Sequence, residues 1–154
     1  MTKAAQETKA DLGKRFIAAI IDAVIAYAVS LIPLIGGLVG TAYILLRDGL
    51  DYEFMDKRSI GKKLLKLRVV STDEIDIDIQ KSIKRNWMFA AVVLLSTLVT
   101  PILIISIVGL ALVPLIMILC LAAVAFEVVM IITKPDGRRW GDDFAGTKVI
   151  EVEE

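Results

Sequence analysis

The chain of 154 residues contains no histidine and only one cysteine, Cys120. It therefore has no imidazole for acid–base catalysis, and a metal site built from cysteine and histidine together is excluded. A single cysteine also excludes an intrachain disulfide, and its position in an apolar run predicts a buried, inert thiol. Because the sequence also has no serine nucleophile motif and no glycine-rich cofactor loop, we expect neither enzymatic activity nor a cofactor.

An excess of charge of either sign is also missing. Lysine and arginine number 18, as do aspartate and glutamate, so no electrostatic signal points to a nucleic-acid partner. Hydrophobic residues make up 56% of the chain and the mean hydropathy is +0.71, against roughly 45 to 50% apolar residues in soluble domains. We therefore expect an integral protein of the cell (inner) membrane, with the lipid bilayer as its surroundings.

Two long apolar blocks, residues 16–46 and 87–133, organise the chain. Each is too long for one helix across a hydrocarbon core of about 30 Å at about 1.5 Å per residue. Each block therefore predicts a hairpin, and the fold class is an all-α membrane protein with four transmembrane helices. The expected helices are residues 14–30, residues 33–46, residues 87–106 kinked at Pro101, and residues 111–133 with Pro114 in the first turn.

The basic residues predict the orientation. Neither expected hairpin tip contains lysine or arginine, so the positive-inside rule puts both termini and the middle segment in the cytoplasm. The expected division is a cytoplasmic amino tail 1–14, a first hairpin 15–50, a cytoplasmic segment 51–86, a second hairpin 87–133 and a cytoplasmic carboxyl tail 134–154.

The middle segment has the pattern of a small β-hairpin. Residues 64–70 and 75–79 are rich in β-branched side chains, the second run alternates strictly, and the polar residues 71–74 separate them. Residues 147–154 also alternate, which fits either a third strand or a frayed acidic terminus.

Asp22 is an acid within the otherwise uncharged segment 16–32. A lone charge at membrane depth costs roughly 2.5 to 3.5 kcal/mol, so a partner is expected. Arg15 precedes it by about two helical turns and shares its face. Glu127 lies seven residues before Lys134, so both acids lie about 10 Å from the same membrane boundary and are predicted to share one layer.

Two interpretations of these acids follow. Asp22 and Glu127 together predict a proton or small-cation site, with the metal unspecified, because two neighbouring carboxylates favour holding a cation. Alternatively, Asp22 pairs with Arg15, and Glu127 with Arg85 or Lys134, in a purely structural role. Further candidate ligands for such a cation are the hydroxyl oxygens of Tyr27, Ser30, Thr41 and Thr133.

Four segments in order resemble the RDD family of membrane proteins: residues 14–22 with Arg15 and Asp22, residues 43–48, residues 59–70 and residues 138–147. Asp142 matches the late aspartate of the family, because it precedes Ala-Gly-Thr by three residues, while Gly141 and Asp143 depart from the pattern. The resemblance implies a membrane module of largely unassigned activity, with cation/proton exchange among the proposals. The remaining motif residues are Asp48, Gly61, Lys62, Arg138, Arg139, Gly146 and Thr147.

The alternative to transport is a non-transporting adaptor that binds lipid or protein. A cytoplasmic basic cluster predicts either contact with anionic lipid headgroups or ordinary topology-setting charge. Gly36 and Gly40 predict close helix packing, within the chain or in a homo-oligomer. Arg15 and Asp142 are expected to form a cytoplasmic latch. The basic cluster comprises Lys57, Arg58, Lys62, Lys63, Lys66 and Arg68.

Overall fold

The computed structural model describes residues 10–33, 35–73 and 76–152. The chain is mostly helical, with one small two-stranded sheet in the described part. The helices are α1 Leu12–Ser30, α2 Gly36–Leu46, α3 Ile60–Leu64, α4 Ile79–Leu94, α5 Thr100–Ile104, α6 Ile107–Thr133 and α7 Trp140–Ala145, and the strands are β1 Leu67–Ser71 and β2 Thr147–Glu151.

In the described part of the chain, two helices are long and apolar enough to cross a membrane. One is Ile79–Ile104, in which a π-helical turn, Leu95–Val99, joins α4 to α5, and the other is α6. Only 11% of the most apolar window of each is buried in the protein, unlike the core helix of a soluble domain. Their apolar surfaces therefore indicate a lipid environment.

The first apolar block forms a close helical hairpin. Helix α1 ends at Ser30 as expected, whereas α2 begins at Gly36, three residues beyond Pro33. A Cβ atom on Gly36 would lie 2.4 Å from the carbonyl oxygen of Val29, and one on Gly40 would lie 2.8 Å from that of Ala26. The small residues of α2 thus pack against α1 within the chain.

The second hairpin turns earlier than residues 108–110, where the sequence predicted it. Ser106 accepts a hydrogen bond from the Gly109 amide at 2.9 Å, and this cap starts α6 at Ile107. Pro114 consequently lies inside α6 rather than in its first turn. The turn is so tight that a Cβ on Gly109 would lie 1.8 Å from the Leu103 carbonyl oxygen. The π-helical turn lies immediately before α5, which contains Pro101.

The predicted β-hairpin of the middle segment is replaced by a long-range strand pair. Strand β1 pairs antiparallel with β2, with Leu67 opposite Glu151 and Ser71 opposite Thr147. Of the expected partner strand 75–79, Ile75 lies outside the described residues and Ile79 begins α4. The chain from Ile79 onward is helical and not a strand because Asp78 accepts a hydrogen bond from the Lys81 amide at 2.7 Å and caps α4.

The apolar core formed by the described residues consists of two small clusters. One packs the sheet against α1 and includes Ala18, Leu67 and Val149, and the other joins α1, α2 and α4 through Ala26, Ile44 and Ala90. Most of the largest fully buried side chains are polar instead. The interior therefore changes from apolar to polar along the bundle.

Candidate functional site

A layer of charged side chains is buried where α1, α4 and α6 meet the short elements α3 and α7. Asp48, Glu127 and Asp142 have no exposed surface, and Asp22 is 1% exposed. Charged groups this deep require paired or hydrogen-bonded partners. We call this set the buried charge layer, and its members are Arg15, Asp22, Arg47, Asp48, Lys62, Arg85, Asn86, Glu127, Arg139 and Asp142.

Asp142 is surrounded by three guanidinium groups. Its carboxylate oxygens lie 3.0 Å from Nη2 of Arg15, 2.9 Å from Nη1 of Arg85 and 3.2 Å from Nε of Arg139. It also accepts the backbone N–H of Arg139 at 3.3 Å and so caps the first turn of α7. The expected pairing of Arg15 with Asp142 is present, and it ties α1 to α7.

Asp48 forms the second ionic centre, immediately beyond α2. Lys62 donates to it from α3, Nε of Arg85 lies 3.1 Å from its Oδ2, and Asn86 donates to the same oxygen at 3.0 Å. Because Arg85 contacts both Asp48 and Asp142, it links the two centres across α4.

Asp22 has a different partner from the one the sequence predicted. Its Oδ2 lies 2.8 Å from Nη1 of Arg47, while its Oδ1 accepts the Gly61 amide at 2.9 Å and the Tyr43 hydroxyl at 3.0 Å. Arg15 shares a face with Asp22 but lies about 10 Å further along α1. Arg47 follows the end of α2, which packs directly against α1, so it reaches the acid more easily.

Glu127 forms neither of its expected ion pairs. Its two oxygens accept the backbone amides of Trp140 at 2.9 Å and Gly141 at 3.3 Å. Amides in the first turn of a helix have no partner within the helix, so a carboxylate there satisfies the start of α7. The expected partners are engaged by other acids, Arg85 by Asp48 and Asp142, and Lys134 by Asp143.

Two glycines allow the backbones around this layer to approach. A Cβ on Gly61 would lie 2.2 Å from the Ala18 carbonyl oxygen, and one on Gly141 would lie 2.2 Å from that of Arg85. Each glycine amide then donates to a buried acid. The Gly61-Lys62 dipeptide therefore acts as a packing element.

The electrostatic field of the layer keeps Asp48 and Asp142 ionised, although burial lowers the pKa of Lys62, the partner of Asp48, to about 7. Burial alone raises the pKa of Asp142, but the positive charges of Arg85, Arg139 and Arg15 outweigh burial and lower the pKa to about 2. Burial likewise opposes ionisation of Asp48, yet Lys62 and Arg85 hold the pKa of this carboxyl well below its usual range. Both aspartates are thus anions at neutral pH.

The remaining motif residues divide into buried and peripheral ones. Nη1 of Arg85 donates to the Thr147 hydroxyl at 3.4 Å, at the start of β2. Gly146 has a φ of 62°, a left-handed conformation that favours glycine, and ends α7. Arg138 lies outside the layer and pairs with Asp136 at 2.5 Å and Asp143 at 3.3 Å.

The basic cluster, for which contact with anionic lipid headgroups was one of two interpretations, is largely engaged within the protein. Lys62 is buried against Asp48, and Arg58, 3% exposed, pairs with Asp56 at 3.1 Å. Arg68 also pairs with Asp56. Most of this charge therefore holds the short elements together.

A cavity of about 750 Å³ lies above the charge layer, between α1, α4 and α6. Its walls are apolar, with Ile20, Val93 and Val128 among them. Phe16 is 61% and Tyr27 63% exposed, so the cavity opens on the surface of the bundle. Its charged residues are Arg15, Asp22, Arg47, Lys62, Arg85, Glu127 and Arg139.

Of the four hydroxyl side chains considered as further cation ligands, Tyr27 lines this cavity, and Ser30, Thr41 and Thr133 do not. The hydroxyls of Ser30, Thr41 and Thr133 each donate to a backbone carbonyl of their own helix, at 2.6 to 2.8 Å. Among the described residues, no group of three or more aspartate, glutamate or cysteine side chains is placed to hold a metal ion. Asp22 and Glu127 do line the same cavity, each with its own partners.

Two important members of the layer were not identified from the sequence in their observed roles. Arg47 was not assigned to Asp22, and Asn86, which accepts from Nη2 of Arg139 at 2.7 Å and donates to Asp48, was not singled out. Polar residues at the ends of the apolar blocks were the only available signal. Such residues indicate that the partners of the buried acids lie near the ends of the apolar blocks. They do not indicate which residue pairs with which acid.

Comparison with known proteins gives one match. The sequence model of the RDD family matches residues 34–146, which is more than half of the chain. No curated protein matches the sequence, and no solved structure matches the fold.

Proposed function

From the premise that this chain belongs to the RDD family, we propose that it is a multi-pass membrane protein that binds a bilayer lipid and does not transport cations. Its four spans form two hairpins in the cell membrane, with the charge layer, the sheet and both termini on the cytoplasmic side. The two long apolar helices and the absence of basic residues from both hairpin turns support this topology.

The observation that carries the proposal is the cavity with apolar walls and a charged floor. Acyl chains match the walls, and a headgroup matches the floor. The acids on that floor already have partners, Arg47 for Asp22 and the α7 amides for Glu127. A guanidinium partner keeps a carboxylate ionised and competes with a cation for it.

Lipid retention tests this proposal. The protein is purified in a mild detergent, and retained phospholipid is measured by native mass spectrometry. Ala23→Trp fills the cavity and should abolish retention, whereas Val24→Trp, on an exposed neighbour outside the cavity lining, should leave it intact. A folded wild type that retains no lipid would contradict lipid binding.

Cation/proton exchange is the second candidate function, because Asp22 and Glu127 line one cavity. It predicts a pH change inside dye-loaded liposomes when a sodium or potassium gradient is imposed. Asp22→Asn or Glu127→Gln should abolish that change while the fold survives. We expect no such change from the wild type, and a flux lost in both variants would favour transport over lipid binding.

The remaining alternative is a membrane adaptor that binds a protein partner. The burial of each basic side chain decides which residue can test it. Lys62 is buried, so changing it would disturb the fold rather than a surface. Lys63, over the ring of the exposed Phe54 at 4.7 Å, is the better surface probe. An adaptor should lose its partner in Lys63→Ala and tolerate Ala23→Trp.

A further inference from the structure

The two short helices and the strands that follow them repeat one pattern. Residues 60–71 and residues 140–151 each form a short helix and then a strand, and β1 and β2 begin and end 80 residues apart. Between helix and strand, each has one residue in the left-handed conformation, Lys66 with a φ of 55° and Gly146 with a φ of 62°. We call residues 60–71 the first unit and residues 140–151 the second unit.

The sheet relates the two units by symmetry. The central valines of β1 and β2 stand opposite each other in the antiparallel register. The Val152 amide donates to the Lys66 carbonyl at 2.9 Å, and the equivalent bond from the Thr72 amide to the Gly146 carbonyl is also 2.9 Å long. An approximate two-fold axis between the valines therefore relates the units, so α3 and α7 occupy equivalent positions.

The first unit lies beside a lipid-facing part of α1. A Cβ on Gly61 would lie 2.2 Å from the Ala18 carbonyl oxygen, so the backbones of α3 and α1 are in contact. Ile17, next to Ala18, and Val24, further along α1, are exposed outside the cavity lining. Because α1 turns apolar side chains outward at this level, α3 lies at the edge of the hydrocarbon core and not beyond it.

The second unit belongs to an aromatic cluster. Phe144 stacks on Trp140 with ring centroids 5.3 Å apart, and Trp140 meets Trp87 of α4 edge-on at 5.8 Å. Trp87 is exposed and begins the apolar part of α4. Tryptophan favours the boundary between hydrocarbon and headgroups, because its ring is apolar and its N–H is polar. The cluster therefore indicates that α7 lies at this boundary.

Both units turn one apolar side chain outward at the same position. Leu64 of the first unit is 66% exposed, and Phe144 of the second unit is 56% exposed. Two residues earlier, Lys62 and Asp142 are buried in the charge layer. A single exposed apolar residue is ordinary on any protein surface, but its recurrence at equivalent positions beside the hydrocarbon core indicates a common partner.

We propose that α3 and α7 are a matched pair of interfacial helices, whose side chains Leu64 and Phe144 insert among the lipid chains at the cytoplasmic boundary of the bilayer. This inference goes beyond the proposed lipid-binding cavity, since it holds whether or not that cavity retains a lipid. Two such contacts on symmetric units would hold the buried charge layer at a fixed depth in the membrane.

Spin labels measure the depth of each position. Leu64→Cys and Phe144→Cys, each combined with Cys120→Ala, are labelled with a nitroxide and reconstituted in vesicles. Collisions with oxygen, which prefers lipid, are compared with collisions with a water-soluble nickel chelate. Both labels should lie about 5 to 10 Å into the boundary between headgroups and acyl chains. Val24→Cys on α1 is the lipid control, and Asp76→Cys, at a side chain that is 93% exposed, is the water control.

The controls separate the possible outcomes. A label at Leu64 or Phe144 that is as open to the chelate as one at Asp76, while the Val24 label is shielded, would overturn the interfacial placement and leave the four-span topology standing. A Val24 label open to the chelate would overturn both.

The unmodified protein provides a second measurement if a labelled variant does not fold. Its two tryptophans, Trp87 and Trp140, both belong to the cluster that contains Phe144. Lipids brominated near the headgroup should quench their emission more strongly than lipids brominated near the chain ends. Stronger quenching by the deeper bromines, or no quenching by either lipid, would overturn the placement of α7 and with it the matched pair.

Discussion

The two ends of the helical bundle differ in how they are held together. At one end, Asp48, Glu127 and Asp142 have no exposed surface and each has at least two polar partners. At the other end, where the hairpins turn, Ile105 is 88% and Ile107 90% exposed. We call the first the charged end and the second the turn end.

This difference follows from the solvent that each end meets. Lipid chains are as apolar as leucine, so apolar contact between helices provides little net stabilisation at the turn end. At the charged end, separating a buried ion pair leaves uncompensated charge in a poor solvent. The relative positions of the helices should therefore be determined mainly at the charged end, so substitutions there should destabilise the protein more than substitutions at the turn end.

The largest effect is expected from Asp142→Ala. It leaves the guanidinium groups of Arg15, Arg85 and Arg139 without their shared carboxylate, and the expected destabilisation is about 3 to 5 kcal/mol. Thermal unfolding in detergent measures it. The matched control is Asp143→Ala, because this adjacent acid is 30% exposed and should contribute at most about 1 kcal/mol. Equal effects of the two changes would remove the distinction between buried and peripheral charge.

Acid should destabilise the charged end next most strongly. The folded-state pKa of Asp142 is about 2, below its unfolded value, so its stabilising contribution is complete above about pH 4 and is lost as the pH falls towards 2. The contribution is about 2 kcal/mol, and Asp48 adds to it in the same direction. A melting temperature that falls steeply below about pH 4 is expected, and a flat profile from pH 4 down to pH 2 would contradict it.

Gly61→Ala should destabilise by about 1 to 3 kcal/mol. The added Cβ meets the Ala18 carbonyl oxygen at 2.2 Å, so α3 must move from α1 and the hydrogen bond from Gly61 to Asp22 is strained. Gly13→Ala is the control in α1, since a Cβ there meets only the side chain of Asp11 at 3.0 Å. Circular dichroism melts of both variants give the comparison, and similar melting temperatures would argue against a required close approach.

The smallest effect is expected at Pro114, inside α6 and towards the turn end. Pro114→Ala restores a backbone N–H within the helix and should change stability by less than about 1 kcal/mol, in the stabilising direction. The same thermal assay measures it. A loss comparable to that of Asp142→Ala would show that the turn end is as tightly specified as the charged end.

The sequence predicted local features more reliably than partners. The end of α1 at Ser30 follows from neighbours a few residues away, and the packing role of Gly36 and Gly40 follows from their four-residue spacing on one helix; the structure contains both. The pairing of Arg15 with Asp142 also appeared as expected, with the family motif as the guide. The start of α6 was placed four residues late, because the Ser106 cap outweighed the glycine of the expected turn.

Composition and apolar block length determined the mostly helical character of this chain and the apolar surfaces of its long helices. Only tertiary structure decided that Arg47 neutralises Asp22, that Glu127 caps α7 and that β1 pairs with β2. Residue spacing along a helix identifies only neighbours within two turns, whereas these partners lie 13 to 84 residues apart in the sequence. Their meeting depends on backbone approach at Gly61 and Gly141, which is a property of packed helices and not of any one segment.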